Sequence, residues 1–249
     1  MKKQRKTILL IEPGAKTTVY PPIGLLHLAS AIRKDYKVII KDYSGKELDI
    51  NKIREDIKKI NPFIIGLRVL TGPGILRAIN VSKIAKEFNK KVIWGGPHPT
   101  IFPEQTLKND YIDAVCIGEG EYTLIDLLNY FEGRKKQVLG SGIKEKGKIK
   151  IYPPQKKVVS FENLPMPAWD LLEDINRYFP EKRHNSLPVS TTRGCPFKCG
   201  FCHNSNKNVK QYLGCYRIAK PKRAIEELKF VQSLVKNKID YLDVGEDFH

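Results

Sequence analysis

Residues 91–131, KVIWGGPHPTIFPEQTLKNDYIDAVCIGEGEYTLIDLLNYF, decide the fold. Two short runs rich in β-branched and aromatic residues, KVIWGG (91–96) and DAVCIGEG (113–120), each end on glycine, and the second leads directly into YTLIDLLNYF (122–131), whose apolar positions fall three or four apart. A buried strand followed by a helix is the repeating unit of an α/β sheet. The same unit recurs upstream. TILLIEP (7–13), KVIIKDY (37–43) and PFIIGLRVL (62–70) read as strands, and IGLLHLASAIRKD (23–35), INKIREDIKKI (50–60) and ILRAINVSKIAKEF (75–88) as helices. Five strands alternating with helices predict an open, doubly wound parallel sheet. Ligands of such sheets bind at the carboxyl ends of the strands. That rule selects Thr71 in TGPG (71–74), Gly95, Gly96 and His98 in GGPHP (95–99), and Gly118, Glu119 and Gly120, all on loops at one edge.

The 249 residues carry a formal charge of +17, from 44 Lys and Arg against 27 Asp and Glu. The basic residues are dispersed over presumed helix faces, which fits a lysine-rich solvated surface better than a nucleic-acid footprint, and nucleic acid is not an expected partner. No apolar run approaches the roughly 20 residues that span a bilayer, and the basic start has no secretory form. A cytoplasmic protein is the expectation. The five cysteines are an odd count with three close together, a pattern of reduced, metal-binding thiols more than of a secreted disulfide scaffold.

Beyond residue 133 the pattern changes. Residues 134–160 read as a polar hairpin with glycine turns, and FENLPMPAWDLL (161–172) as a linker passing over a surface. A second βα series then begins with the strand SLPVSTTR (186–193), continues with the helix PKRAIEELKFVQSLVKN (221–237) and ends in DYLDVGEDF (240–248). Three units are therefore expected: 1–133, a Rossmann-like domain; 134–185, hairpin and linker; and 186–249, the beginning of another domain.

The first strand of that last unit runs into TTRGCPFKCGFCH (191–203), where Cys195, Cys199 and Cys202 have the spacing C-x3-C-x2-C. Zinc would need a fourth ligand, which His203 or Cys215 could supply. A [4Fe–4S] cluster held by three thiolates would instead keep one iron open to an external ligand. Spacing alone leaves both readings standing. Gly194, Pro196 and Gly200 permit the tight backbone path a cubane would need.

This loop, with an aromatic residue just before its third cysteine, resembles the radical S-adenosylmethionine superfamily. YPPIGLLHLASAIRK, WGGPHPTIFPEQTL, DAVCIGEGEYTLIDLL and LPMPAWDLL follow, in order, the pattern of its cobalamin-binding branch, so the resemblance extends over most of the chain. It implies a cobalamin-binding first domain followed by a partial (β/α) TIM-like barrel. It also implies a [4Fe–4S] cluster on Cys195, Cys199 and Cys202, with S-adenosylmethionine on the open iron beside Phe201, Gly245 and Glu246. Cobalamin would lie against Thr71, Gly95, Gly96, His98, Gly118, Glu119 and Gly120. An external electron donor of flavodoxin or ferredoxin type would feed the cluster. Cleavage of the sulfonium would give a 5′-deoxyadenosyl radical, with methylcobalamin as methyl donor to an unactivated centre of a small-molecule substrate such as a natural-product or lipid precursor.

Methyltransferase is the first expectation and oxidative ring closure of the anaerobic Mg-protoporphyrin ester type the second. A non-catalytic Rossmann module with a zinc knuckle is the third. A tRNA methylthiotransferase would need a second cysteine set in the first domain, where only Cys116 occurs. Two departures stand out. The loop EPGAKTTVYPPIG offers no histidine for the lower face of cobalt, and His27 falls inside a predicted helix. Residues 186–249 supply only the opening of a barrel, so a truncated chain is expected.

Overall fold

Seven strands form the main sheet in the order β2-β1-β3-β4-β5-β6-β7. The computed structural model describes residues 5–17, 19–156, 159–180, 184–213 and 215–245. The first five strands, β1 (Thr7–Glu12), β2 (Lys37–Asp42), β3 (Ile64–Arg68), β4 (Lys91–Gly95) and β5 (Ala114–Cys116), are parallel. Their residues are apolar on both faces because helices cover both faces. On one side lie α1 (Ile23–Ile32) and α6 (Gly120–Phe131), packed with Ile8, Leu10, Ile64 and Ile93. On the other lie α2 (Ile50–Ile60) and α3 (Gly74–Glu87), packed with Leu9, Ile11, Ile65 and Leu67.

Local chemistry explains where these helices start and stop. Helix α2 begins at Asp49, whose carboxylate accepts from the Lys52 N–H at 3.0 Å, and ends at Asn61 in the left-handed region with φ 45°. Between those caps Ile53 and Ile57 are fully buried, each contributing about 1.5–3 kcal/mol by removal from water. The GGPHP segment, read as loop, leads into the first of two short helices, α4 (Pro97–Ile101) and α5 (Pro103–Leu107), each with proline at its first position.

The polar hairpin forms as β6 (Ser141–Glu145) and β7 (Lys148–Ile151), turning through Lys146 and Gly147 at φ 47° and 77°. It does not stand apart from the first unit, which was expected to end at 133. Strand β6 pairs antiparallel with β5 and extends the same sheet. The linker also differs from the expected surface strap. Ala168 and Trp169 are buried, the Ala168 N–H donates to the Leu26 carbonyl at 3.1 Å, and Trp169 Nε1 donates to Glu227 at 2.9 Å. Two prolines in three positions signal irregular backbone, but the tryptophan beside them needs a core.

The second unit opens with β8 (Ser186–Ser190), paired parallel with β11 (Tyr241–Gly245) through α8 (Pro221–Leu234). Between them, β9 (Thr192–Arg193) and β10 (Arg217–Ile218) form a short antiparallel ribbon, with α7 (Lys207–Leu213) in the intervening segment. One βαβ unit with two paired parallel strands is therefore present among the described residues.

Candidate functional site

In the strand order 2-1-3-4-5 the connections leaving β1 and β3 diverge, and the crevice at that switch point is where ligands of such sheets bind. The last residues of these two strands meet there. Arg68 Nη1 lies 2.8 Å from a Glu12 carboxylate oxygen, and the Gly14 N–H donates to the other at 2.9 Å. Burial pushes the Glu12 carboxyl above its ordinary value despite the opposing Arg68 charge. Arg68 separates two cavities, one of about 260 Å³ on the α1/α6 side and one of about 210 Å³ on the side of the β1 and β3 loops.

The larger cavity gathers most of the residues selected from sequence. Gly95, Gly96, Gly118, Glu119 and Gly120 all line it, with Cys116 between the two glycine loops. Thr100 ties these loops together: its hydroxyl donates to the Gly96 carbonyl at 2.8 Å and accepts from the Gly118 N–H at 3.0 Å. Gly118 has φ 75°, and a Cβ there would stand 2.2 Å from the Tyr212 carbonyl oxygen of α7. Only glycine allows α7 this close. A wall of glycine backbone suits a bulky ligand laid flat against it, and in this respect the residues present fit a corrinoid. Burial pushes the Cys116 thiol up to about 12, which leaves it neutral and makes it part of the cavity wall, as its strand position suggested.

Thr71 and His98 are not brought into this cavity. Thr71 Oγ1 and His98 Nδ1 lie 3.2 Å apart, and Thr71 lines the smaller cavity. The His98 N–H donates to the Val69 carbonyl at 3.1 Å, its ring packs near Phe102 and Trp94, and burial lowers its pKa. His27 is buried in α1, and neither ring nitrogen has a hydrogen-bond partner among the described residues. Burial, reinforced by the charges of Arg193 and Arg223 against that of Glu121, lowers its pKa to about 3.

The cysteine loop follows β9. Cys195 and Cys202 are half-buried, Cys199 is exposed, and all are free thiols, as is exposed Cys215. Phe201 is 94% exposed. The loop backbone is held by the Cys202 N–H donating to the Cys199 carbonyl at 3.1 Å, and by the Ser205 hydroxyl, which donates to both the Cys199 and Cys202 carbonyls. Among the described residues, no group of three or more His, Cys, Asp or Glu is arranged to hold a metal ion. The donors fit a cluster in number and chemistry, while the loop does not draw them together; His203 and Cys215 complete no zinc set either. Gly245, paired with Ser190, ends β11 beside the end of β8. Glu246 lies outside the described residues.

Sequence reasoning missed the side chains that join the two units. Arg193 and Glu121 form an ion pair at 2.6 Å, and Arg217 pairs with Glu119, its Nη1 donating at 3.0 Å. The Tyr20 hydroxyl, from the loop after β1, donates to Asp243 of β11 at 2.7 Å. Contacts between residues about 70 to 220 apart leave no periodicity to read. Arg193 and Leu213 line the larger cavity with the glycine loops, so that cavity has walls from both units.

The chain is similar to known proteins in sequence and in fold. Residues 16–128 match the B12 binding domain family. The uncharacterized methyltransferase PH0819 of Pyrococcus horikoshii is 36% identical over 256 residues, covering 97% of this chain and 54% of the relative. The anaerobic magnesium-protoporphyrin IX monomethyl ester cyclase of Rubrivivax gelatinosus is 29% identical over 222 residues, covering 84% of this chain and 39% of the relative. The chain thus spans about half or less of the length of these relatives. In fold, it superimposes on the cobalamin-dependent S-adenosylmethionine radical enzyme OxsB, solved with aqua-cobalamin and S-adenosylmethionine, with a TM-score of 0.70 at 24% identity, over 90% of this chain and 31% of that one. No helix among the described residues is long and apolar enough to cross a membrane.

Proposed function

Because this chain carries a B12-binding domain and is homologous to the cobalamin-dependent radical S-adenosylmethionine methyltransferases, we propose that it is the cofactor-bearing portion of such an enzyme, with methyl transfer to a small molecule as its reaction. The observation that carries this reading is the shared cavity. Gly118, Glu119 and Gly120 of the cobalamin-type domain and Arg193, two residues before the first clustered cysteine, line one space. A methyl donor and a radical source must work on the same substrate atom, so their sites must face each other.

In this reading Cys195, Cys199 and Cys202 hold a [4Fe–4S] cluster, with Phe201, Gly245 and Glu246 beside S-adenosylmethionine, and the glycine loops hold cobalamin. When bound, these groups supply one-electron chemistry and a methyl carrier. The chain's own residues bind, orient and exclude water. Glycine backbone admits the flat ligand, Cys116 and Leu124 keep the cavity wall apolar, and α7 covers the glycine loop. Thr71, from the neighbouring cavity, and His98, beside it, act as support for the Gly95–Gly96 loop. A flavodoxin- or ferredoxin-type donor delivers the electron. Relatedness to the Rubrivivax cyclase supports ring closure as the second reading.

Anaerobic reconstitution tests the assignment. The chain is expected to take up about four iron and four sulfide, to lose them on Cys199→Ala, and separately to retain cobalamin through gel filtration. Tight zinc with neither iron–sulfur uptake nor cobalamin retention would return the chain to a binding module.

A further inference from the structure

The two acidic residues of the glycine loop do different work from the glycines. Glu119 and Glu121 flank Gly120 at the start of α6, and each reaches an arginine of the second unit. The two arginines are direct cross-strand partners in the β9–β10 ribbon, Arg193 opposite Arg217. Every residue between them, the three clustered cysteines included, belongs to the excursion this ribbon closes. Both ion pairs are largely withdrawn from water: side-chain exposure is 15% and 6% for Arg193 and Glu121, and 14% and 16% for Arg217 and Glu119. Arg217 Nη1 also donates to the Val159 carbonyl at 2.7 Å, and the Ala219 N–H to the Thr191 carbonyl at 2.7 Å. The ribbon is therefore anchored at its base to the cavity wall, whereas the thiols it carries reach the surface.

We propose that Glu119 and Glu121 are positioning residues that clamp the base of the cysteine loop through Arg217 and Arg193, so that filling the glycine-lined cavity stiffens the loop. This gives Glu119 a role in addition to the cobalamin contact expected of it. The physical basis is that Glu119, Glu121 and Arg193 line the same cavity, so a ligand there touches the clamp itself. Breaking one partner of a withdrawn ion pair leaves the other charge uncompensated, which is far more disruptive than losing an exposed pair. What the loop holds rests on the proposed function; the clamp itself does not.

The test uses the whole chain, first without cofactors. In Glu121→Gln, hydrogen–deuterium exchange of peptides covering 191–193 and 216–219 is expected to rise roughly tenfold or more, with peptides from β2 and α2 unchanged, and Glu121→Asp is expected to restore most of the protection. The chain is then loaded with iron and sulfide and compared with and without hydroxocobalamin. In the wild type the corrinoid is expected to slow iron loss to a chelator by about tenfold and to change the spectrum of the reduced cluster. Glu121→Gln should keep its iron but lose that response. Unaltered exchange in Glu121→Gln, or retention by that variant of the full corrinoid response seen in the wild type, overturns the clamp. Failure of the wild type to take up cluster or corrinoid overturns the proposed function instead, and the exchange measurement still judges the clamp. If Glu121→Gln does not fold, Glu119→Gln carries the same measurements.

Discussion

The glycine-lined cavity and the cysteine loop stand close together but are built on opposite plans. The cavity has a fixed frame: its backbone is held by the parallel sheet, by Thr100 bridging two loops, and by α7 lying against Gly118. The cysteine loop is anchored at its ribbon and braced by local hydrogen bonds such as those of Ser205, and among the described residues its thiols are not collected into a metal-holding group. A flat organic ligand needs a wall prepared in advance. A cluster can organise its own ligands, because metal binding supplies free energy to the segment that folds around it.

The sharpest way to break this contrast is Gly118→Ala. The positive φ and the Tyr212 carbonyl at 2.2 Å leave no room for a methyl group. A loss of about 3–5 kcal/mol in denaturant unfolding, together with loss of cobalamin retention, is expected. A cavity indifferent to this change would not be prebuilt.

The next effect is on acid stability, from His27. Its pKa in the fold, about 3, lies below the ordinary value of 6.5, so the unfolded chain binds a proton that the fold refuses. Stability is full above the unfolded pKa and falls as pH drops from about 6.5 toward 3, by roughly 1.4 kcal/mol per pH unit. Denaturation of wild type and His27→Leu between pH 7 and 4.5 should show this slope only in the wild type.

Glu227 gives a smaller effect of opposite sign. Burial raises its pKa against the hydrogen bond from Trp169 and the charge of Arg223. The fold therefore favours the protonated acid, and stability is lost as pH rises through its raised pKa. Glu227→Gln keeps an acceptor for Trp169 and is expected to stabilise by about 1–2 kcal/mol at pH 8, or a few degrees in Tm, with the gain vanishing near pH 4. The smallest expected change is that of Phe201→Ala. So exposed a ring contributes within about 0.5 kcal/mol to stability, yet its loss should weaken S-adenosylmethionine binding to the cluster-loaded chain by about tenfold.

The five parallel strands and their helices were legible because each carries a period that burial on two faces demands. Proline concealed α4 and α5: Pro97 and Pro103 sit where a helix can begin, but proline marks turns as well as helix starts. KNVKQYL, now α7, has too few apolar positions to announce a helix, although it roofs the glycine loop. The hairpin was legible as a hairpin, but no local signal states which sheet edge it joins. The glycines of the candidate site were found from their position after strands. Arg68, Arg193 and Arg217 were not, since their partners are set by tertiary packing. The missing histidine after β1 is now seen in context, with Glu12 and Arg68 joined at the switch point where that loop departs.

The two borders of the seven-stranded sheet have a further consequence, for the chain's behaviour when crowded with copies of itself. Along β2, Arg177 donates to the Asp42 and Ser44 carbonyls, so the linker sits beside the strand. Along β7, Lys148 and Lys150 are exposed and alternate with half-buried Ile149 and Ile151. An incoming strand would meet a linker at one border and repeated positive charge at the other, and like charges brought into register repel. The sheet that carries the glycine loops is in this way guarded against growing into a fibre.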